Sequence, residues 1–395
     1  MTRMEAPNPW GAVNGIRPVK YIRILNEIEG LSLDEIYDRF LNEFHASQEK
    51  TDLAFDIFRN EQALMAKYPP DGISLYVGIP FCPTRCLYCS FISAPYKKMS
   101  AYVEPFVDAL LKEIEACGKL VADLGLPVKS VYFGGGTPTA LDVHYLEKII
   151  QALDTHFDLS GIYEYTVEAG RPETVTDEML EMLKRNGVGR ISINPQSMHQ
   201  KTLNAIGRSH TPEDIRTAFQ RARAHGFDNI NMDLIAALPN ETLEDFSQTL
   251  DEVLALDPEN ITVHTMYIKR ASFLNQNLGA YDFSQAADEM LRLAATRLRE
   301  KGHRPYYLYK QKNTVGNLEN VGYAKPGTEG LYNVYSMAEL QTILAMGGGG
   351  ATKLVDREND FIDRVFNVKD VITYIGKIDE MIERKERLRE FYKKQ

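Results

Sequence analysis

Three of the chain's four cysteines fall within eight residues. They lie in the run Gly78-Ile-Pro-Phe-Cys82-Pro-Thr-Arg-Cys86-Leu-Tyr-Cys89-Ser-Phe91, directly after an apolar stretch that reads as a strand. Thiolates hold iron–sulfur clusters, and four of them saturate a four-iron cubane. Three leave one iron open. An open iron can chelate the amino and carboxylate groups of a methionine moiety. Reduction of that assembly breaks the sulfonium C–S bond of S-adenosylmethionine (SAM) and releases a 5′-deoxyadenosyl radical, chemistry that belongs to the cofactor. The spacing therefore predicts a [4Fe–4S] cluster on Cys82, Cys86 and Cys89, with SAM beside it. Structural zinc would call for a fourth Cys or His close by. No His lies in this loop. Cys117 falls on the apolar stripe of a helix, where a buried core thiol is expected. A disulfide framework would spread its cysteines along a short secreted chain.

A loop of this kind needs a rigid frame. Strand candidates follow one another at Ser74–Ile79, Ser130–Phe133, Glu164–Glu168, Arg190–Asn194, Asn229–Ile235 and Ile261–Thr265, with helical stretches between them. One helix, Tyr102–Leu124, carries Val103, Phe106, Val107, Leu110 and Ile114 on one face. Another opens with Thr211 as N-cap, Pro212 at N1 and Asp214 at N3, a variant capping box. Such alternation implies a parallel sheet with right-handed crossovers, either open or closed into a barrel. Ligands of these folds gather at the C-terminal strand ends. There the second strand runs into Gly134-Gly135-Gly136-Thr137-Pro138, whose glycines let backbone approach a ligand closely. Glu168 ends the third strand, Gln196 follows the fourth and Asp233 lies in the fifth. Carboxylates and amides at these places suit ribose hydroxyls and an ammonium group, or the capping of a helix.

Before the first strand, Leu31–Phe44 and Glu49–Tyr68 read as helices, and Pro69-Pro-Asp-Gly72 marks a boundary. After about Ala271 the alternation weakens. Asp282–Lys301 reads as a helix, and Arg304–Lys325 is aromatic and polar. Gly347–Gly350 is a turn or a place of close backbone approach. Lys377–Gln395 reads as a charge-rich helix with a solvated face.

Several stretches together resemble a known family. Leu75-Tyr-Val-Gly-Ile-Pro-Phe-Cys82, Gly134-Gly-Gly-Thr-Pro138, Ile193-Asn-Pro-Gln-Ser197 and Asn231-Met-Asp-Leu-Ile-Ala-Ala-Leu-Pro239 are similar to the oxygen-independent coproporphyrinogen III oxidases. Thr262-Val-His-Thr-Met-Tyr-Ile-Lys-Arg270 and Gly316-Asn-Leu-Glu-Asn-Val-Gly-Tyr-Ala-Lys-Pro326 resemble their coproporphyrinogen dehydrogenase HemZ-type branch. The resemblance implies an α/β fold, a (β/α)6 partial TIM barrel of the radical SAM kind. It would span 71–275, between an N-terminal helical segment (1–70) and a C-terminal α+β extension covering the substrate (276–395). It implies an oxidoreductase of heme biosynthesis that decarboxylates two propionates of coproporphyrinogen III to vinyls.

Carried over motif by motif, Tyr76, Tyr88, the backbone of Gly134, Gly135, Gly136 and Thr137, and the side chains of Glu168, Gln196, Arg208 and Asp233 would hold SAM. Lys269, Arg270, Tyr309, Lys310 and Lys312, with Lys353, are the substrate-side candidates by position. Tyr306 and Tyr307 would stack on a macrocycle or pack the core. The well-studied oxidases have a histidine where this chain has Gly78 and a further cysteine where it has Phe91. Cysteine followed by x-Phe resembles the related heme chaperones and heme-modifying radical enzymes, which are the alternative readings.

A formal charge of −10 argues against a phosphate-tracking surface, so nucleic acid is not an expected partner. No apolar run approaches the roughly 20 residues that span a bilayer. The N-terminus has no apolar segment of the secretory kind. A cytoplasmic protein is expected, without a membrane partner, reduced by a donor such as flavodoxin or ferredoxin.

Overall fold

The computed structural model describes residues 8–13, 17–89, 94–267, 283–311 and 314–393. In chain order the strands of three or more residues are β1 (Ile73–Ile79), β2 (Val128–Gly135), β3 (Glu164–Glu168), β4 (Arg190–Ser192), β5 (Ile230–Ala236), β6 (Asn260–Thr265), β7 (Arg304–Lys310), β8 (Glu319–Ala324), β9 (Thr342–Gly347), β10 (Ala351–Asp356) and β11 (Phe361–Phe366). All six strands read from the sequence are among them. The chain divides into two compact units.

The larger unit comprises Pro70–Pro195, Gly207–Asn231 and Gly330–Gln395. Its strands run in the order β11-β10-β9-β1-β2-β3-β4. β9, β1, β2, β3 and β4 are parallel; β10 and β11 add an antiparallel edge. β5 begins here, Ile230 and Asn231 pairing with Ile191 and Ser192. β1 is buried at every position but Tyr76, as in a parallel strand covered on both faces. β9, absent from the sequence reading, lies beside β1 in register, and this aligns Gly347, Gly78 and Gly134 across three strands.

The helix Val103–Leu124 lays Phe106, Val107, Leu110, Ile114 and Cys117 into the core, each apolar side chain worth about 1.5–3 kcal/mol. It ends on Gly125, whose φ of 62° is the left-handed cap that glycine adopts without strain. On this helix Glu113 is fully buried. Its carboxylate accepts from Gly347 N (2.8 Å), Asn367 Nδ2 (2.8 Å) and Tyr374 Oη (2.6 Å), and faces Lys385 Nζ at 3.2 Å. The tail helix Ile378–Tyr392, whose charge content reads as a solvated face, therefore buries Lys385, 2% exposed. A buried ammonium persists here because Ala345 O (2.7 Å), Asn367 Oδ1 (2.8 Å) and Glu113 surround it. The outer face stays charged, with Arg387 on Asp363 and Arg389 on Asp123.

The other unit comprises Met1–Pro69, Gln196–Ile206 and Met232–Glu329. The rest of β5 is followed in order by β6, β8 and β7, and β8 is antiparallel to both neighbours. The helices Leu33–Asn42 and Gln48–Lys67 form as read, the first behind a capping box of Ser32 and Glu35. Glu319 on β8 binds this segment: its carboxylate accepts from Lys50 Nζ and Trp10 Nε1, both at 2.7 Å. Tyr306 and Tyr307 are buried core residues. The Tyr307 ring crosses Gly322, where an added Cβ would sit 1.9 Å from the ring, and so reaches Thr262 at 3.2 Å. Among the described residues no helix is long and apolar enough to cross a membrane.

Replacing Lys385 by Met should leave the Glu113 carboxylate buried without its counter-charge. Urea unfolding should show a loss of about 3–5 kcal/mol, and adding Glu113→Leu should recover part of it. An unchanged midpoint for Lys385→Met would contradict this account of the tail.

Candidate cofactor and active site

In the larger unit, β1 delivers the chain to the cysteine loop at the C-terminal end of the parallel strands. Phe81–Cys82 pairs with Ala94–Pro95. The glycine segment after β2 lies against the loop: Gly136 N donates to Ile79 O and Thr137 N to Phe81 O, both at 2.7 Å. These two N–H groups are thus committed to the loop. A Cβ on Gly136 would lie 2.4 Å from Phe81 O and 3.0 Å from Cys82 Sγ, so only glycine permits this approach. Gly135, at φ 107°, makes the bend that brings it there.

Cys86 is buried, while Cys82 and Cys89 are partly open. Thr137 Oγ1 donates to Cys82 Sγ at 3.5 Å. Burial pushes the Cys82 thiol up to about 11, against the pull of that hydrogen bond. Among the described residues no three Cys, His, Asp or Glu side chains are close enough to hold a single metal ion. A cubane makes no such demand, since each thiolate binds a different iron. An all-sulfur donor set on one loop, with a side-chain-free wall beside it, fits such a cluster.

Two buried arginines flank Cys86. Arg171, which the sequence reading did not single out, donates from Nη1 to Cys86 Sγ at 3.5 Å. Its Nη2 reaches Thr84 Oγ1 (3.0 Å) and Glu173 Oε1 (2.6 Å). The signal was its place in Glu168-Ala-Gly-Arg171, one turn past a strand-end carboxylate. Arg208 is also buried rather than on a surface helix. It hydrogen-bonds Tyr88 and Cys86, and donates from Nη1 to Asn194 O and Gly170 O. Burial raises the Tyr88 phenol, with Arg208 opposing the shift.

Tyr76 and Tyr132 are register partners on β1 and β2, and their rings lie over Gly134. Tyr332 stacks on Tyr132 at 4.3 Å between centroids, and on Tyr76 at 6.1 Å. Tyr132 Oη donates to Glu168 Oε1 at 2.6 Å. Burial, and then Glu168, raise the Tyr76 phenol. Tyr332 is set by Glu164, whose carboxylate accepts from Leu331 N and Tyr332 N at the start of the helix Leu331–Met337. Sequence gave no hint of Tyr332, because its partners lie some 200 residues away. Gly78 is tightly framed: a Cβ would meet Gly348 O at 3.0 Å and the Tyr76 ring at 3.4 Å.

In the other unit, Gln196 is buried in the left-handed region, φ 65°, and donates its N–H to Asp233 O at 2.9 Å. Its side-chain Oε1 is buried with no hydrogen-bond partner among the described residues, a disposition that suits an ammonium ligand. The Asp233 carboxylate lies 3.6 Å from His264 Nε2, and His264 Nδ1 lies 3.1 Å from Tyr309 Oη. Lys310 projects to the opposite face of β7, its ammonium 5.0 Å from the Trp10 ring, and burial pulls it down to about 8. Tyr309 and Lys310 thus do not share a face. Lys353, in the larger unit, donates to Ser336 O at 2.7 Å. Lys269, Arg270, Lys312 and Phe91 lie outside the described residues.

The radical SAM superfamily model matches residues 76–253. The chain is 39% identical over 370 residues to the oxygen-independent coproporphyrinogen-III oxidase-like protein HemZ of Bacillus subtilis, covering 92% of this chain and 74% of that one. It is 35% identical to the heme chaperone HemW of the same organism, over about half of each chain (50% and 51%). The solved structure of the Escherichia coli coproporphyrinogen III oxidase HemN, a radical SAM enzyme, superposes with a TM-score of 0.62 at 24% identity, over 82% of this chain and 72% of that one, and shows the same α/β fold. The chain therefore belongs to the radical SAM superfamily, among the oxygen-independent coproporphyrinogen-III-oxidase-like enzymes, oxidoreductases whose cofactors are a [4Fe–4S] cluster and SAM.

Proposed function

We propose that the chain decarboxylates two propionates of coproporphyrinogen III to vinyls, giving protoporphyrinogen IX. The observation that carries this reading is the loop of three thiols closed against a glycine wall, in a chain 39% identical to an oxidase-like relative. Bound on Cys82, Cys86 and Cys89, the cluster with SAM would supply the radical chemistry by which each propionate gives up a β-hydrogen, carbon dioxide and one electron, the electron going to an acceptor.

The residues of the chain bind and orient. Cys82, Cys86 and Cys89 hold the cluster. Glu168, fixed by Tyr132, and Arg208 hold polar groups of SAM, with the backbone of the Gly134–Thr137 segment. Gln196 and Asp233 are assigned to SAM on their motifs and strand-end places alone. The stacked rings of Tyr76, Tyr132 and Tyr332 offer a flat aromatic wall of the kind a tetrapyrrole needs. A one-electron carrier such as flavodoxin or ferredoxin reduces the cluster across the exposed side of the loop at Thr84, Arg85 and Leu87. A second reading, action on heme itself, is favoured by Gly78, where the crowded backbone replaces the histidine of the oxidases.

Two measurements test the proposal. Anaerobic, cluster-reconstituted protein with dithionite, SAM and coproporphyrinogen III should form protoporphyrinogen with two equivalents of 5′-deoxyadenosine, one for each propionate. Deoxyadenosine without a porphyrin product would reject this substrate and turn the assay to heme. Separately, Tyr132→Phe should raise KM for SAM about tenfold, the scale of a lost hydrogen bond to a charged group, without lowering iron content. An unaltered KM would remove Glu168 from the SAM site.

A further inference from the structure

Arg171 has no role in SAM or substrate binding as described above, yet it is among the most buried charges of the larger unit at 2% exposure. An arginine carries its charge at every accessible pH, so burial cannot neutralise it. Something must offset its desolvation. Glu173 does so in part, but that carboxylate is itself 35% exposed. The Arg171 Nε is buried and has no hydrogen-bond partner among the described residues. Besides Glu173 and the neutral Thr84 hydroxyl, the guanidinium reaches the Cys86 sulfur, 3.5 Å from Nη1. Arg208, 6% exposed, also hydrogen-bonds this sulfur. A neutral thiol would be a poor partner for two buried guanidinium groups. A thiolate bound to iron would carry a negative charge that complements both.

We propose that Arg171 is a positioning residue that sets the reduction potential of the cluster through Cys86. The inference rests on the reading of Cys86 as a cluster ligand. Hydrogen bonds to the ligand sulfurs and net charge beside a cluster are two of the terms that fix its potential. Reduction adds one negative charge. A fixed positive charge in a buried setting stabilises that state more than the oxidised one, because little solvent screens it. Arg171 therefore raises the potential and eases the entry of the electron that SAM cleavage requires. Its Nη2 bonds to Thr84 and Glu173 hold the guanidinium plane on the loop, so the charge cannot swing away. Arg208 cannot serve this purpose alone, since it is also assigned to SAM; Arg171 acts whether SAM is bound or not.

The test is a potentiometric titration without SAM, followed by electron paramagnetic resonance of the reduced cluster. Wild type, Arg171→Met, Arg171→Lys and Glu173→Gln are reconstituted and assayed for iron and sulfide. Arg171→Met should keep its cluster and shift the one-electron reduction equilibrium at least tenfold toward the oxidised form, about 59 mV lower in midpoint. Arg171→Lys should recover part of that shift. Glu173→Gln, which removes the offsetting negative charge, should move the midpoint the other way. If Arg171→Met does not assemble a cluster, the opposed shifts of the Lys and Gln variants carry the test. Midpoints equal to wild type in the loaded variants would overturn the inference. Cys86→Ala with undiminished iron would instead overturn the ligand reading on which it rests.

Discussion

A single buried carboxylate organises the larger unit. Glu113 sits within a helix whose other inward residues are apolar, and it brings to that face four groups from the last 50 residues of the chain: Gly347, Asn367, Tyr374 and Lys385. A buried charge is tolerated only when its bonding capacity is filled, so these contacts stand or fall together. Their consequence is local to the active end. Gly347 is held at the end of β9, where a Cβ would lie 2.2 Å from Gly78 O. β9 is thereby locked beside β1, and β1 is the strand that hands the chain to the cysteine loop. β9 is thus part of the frame of the cysteine loop.

The loop itself is shaped by two different economies of space. On one side side chains are absent: Gly134, Gly135 and Gly136 let β2 and its exit lie against Ile79 and Phe81 at hydrogen-bond distance. On the other side the space is filled with charge, by Arg171 and Arg208. Bulk near Cys82 would close the space beside the thiols, while bare apolar walls would penalise any negative charge there.

Much of this was legible from local sequence. The six strands and the Thr211–Asp214 capping box depend on neighbours within a few residues, and each is present. The buried fate of Cys117 followed from helical periodicity. What escaped depends on distant partners. Lys385 looks like any surface lysine until Glu113, 272 residues earlier, is placed beside it. Thr342–Gly347 has a short apolar pattern that helix and strand share, and only β1 decides its state. Tyr309 and Lys310 are adjacent in sequence, which suggested a common role. Strand alternation sends one to His264 and the other to Trp10.

The glycine at position 78 follows from the same packing. Gly347, Gly78 and Gly134 occupy one register row, so three parallel strands meet there with no Cβ between them. Enlarging the middle member would press on Gly348 O from one side and on the Tyr76 ring from the other. Tyr76 cannot yield freely, because Tyr132 and Tyr332 are stacked with it and Tyr132 is tied to Glu168. A side chain here would therefore disturb the aromatic wall and, through Tyr132, the Glu168 carboxylate. Gly78 is the residue that lets an extension strand pack against β1 while three phenol rings stay parallel above it.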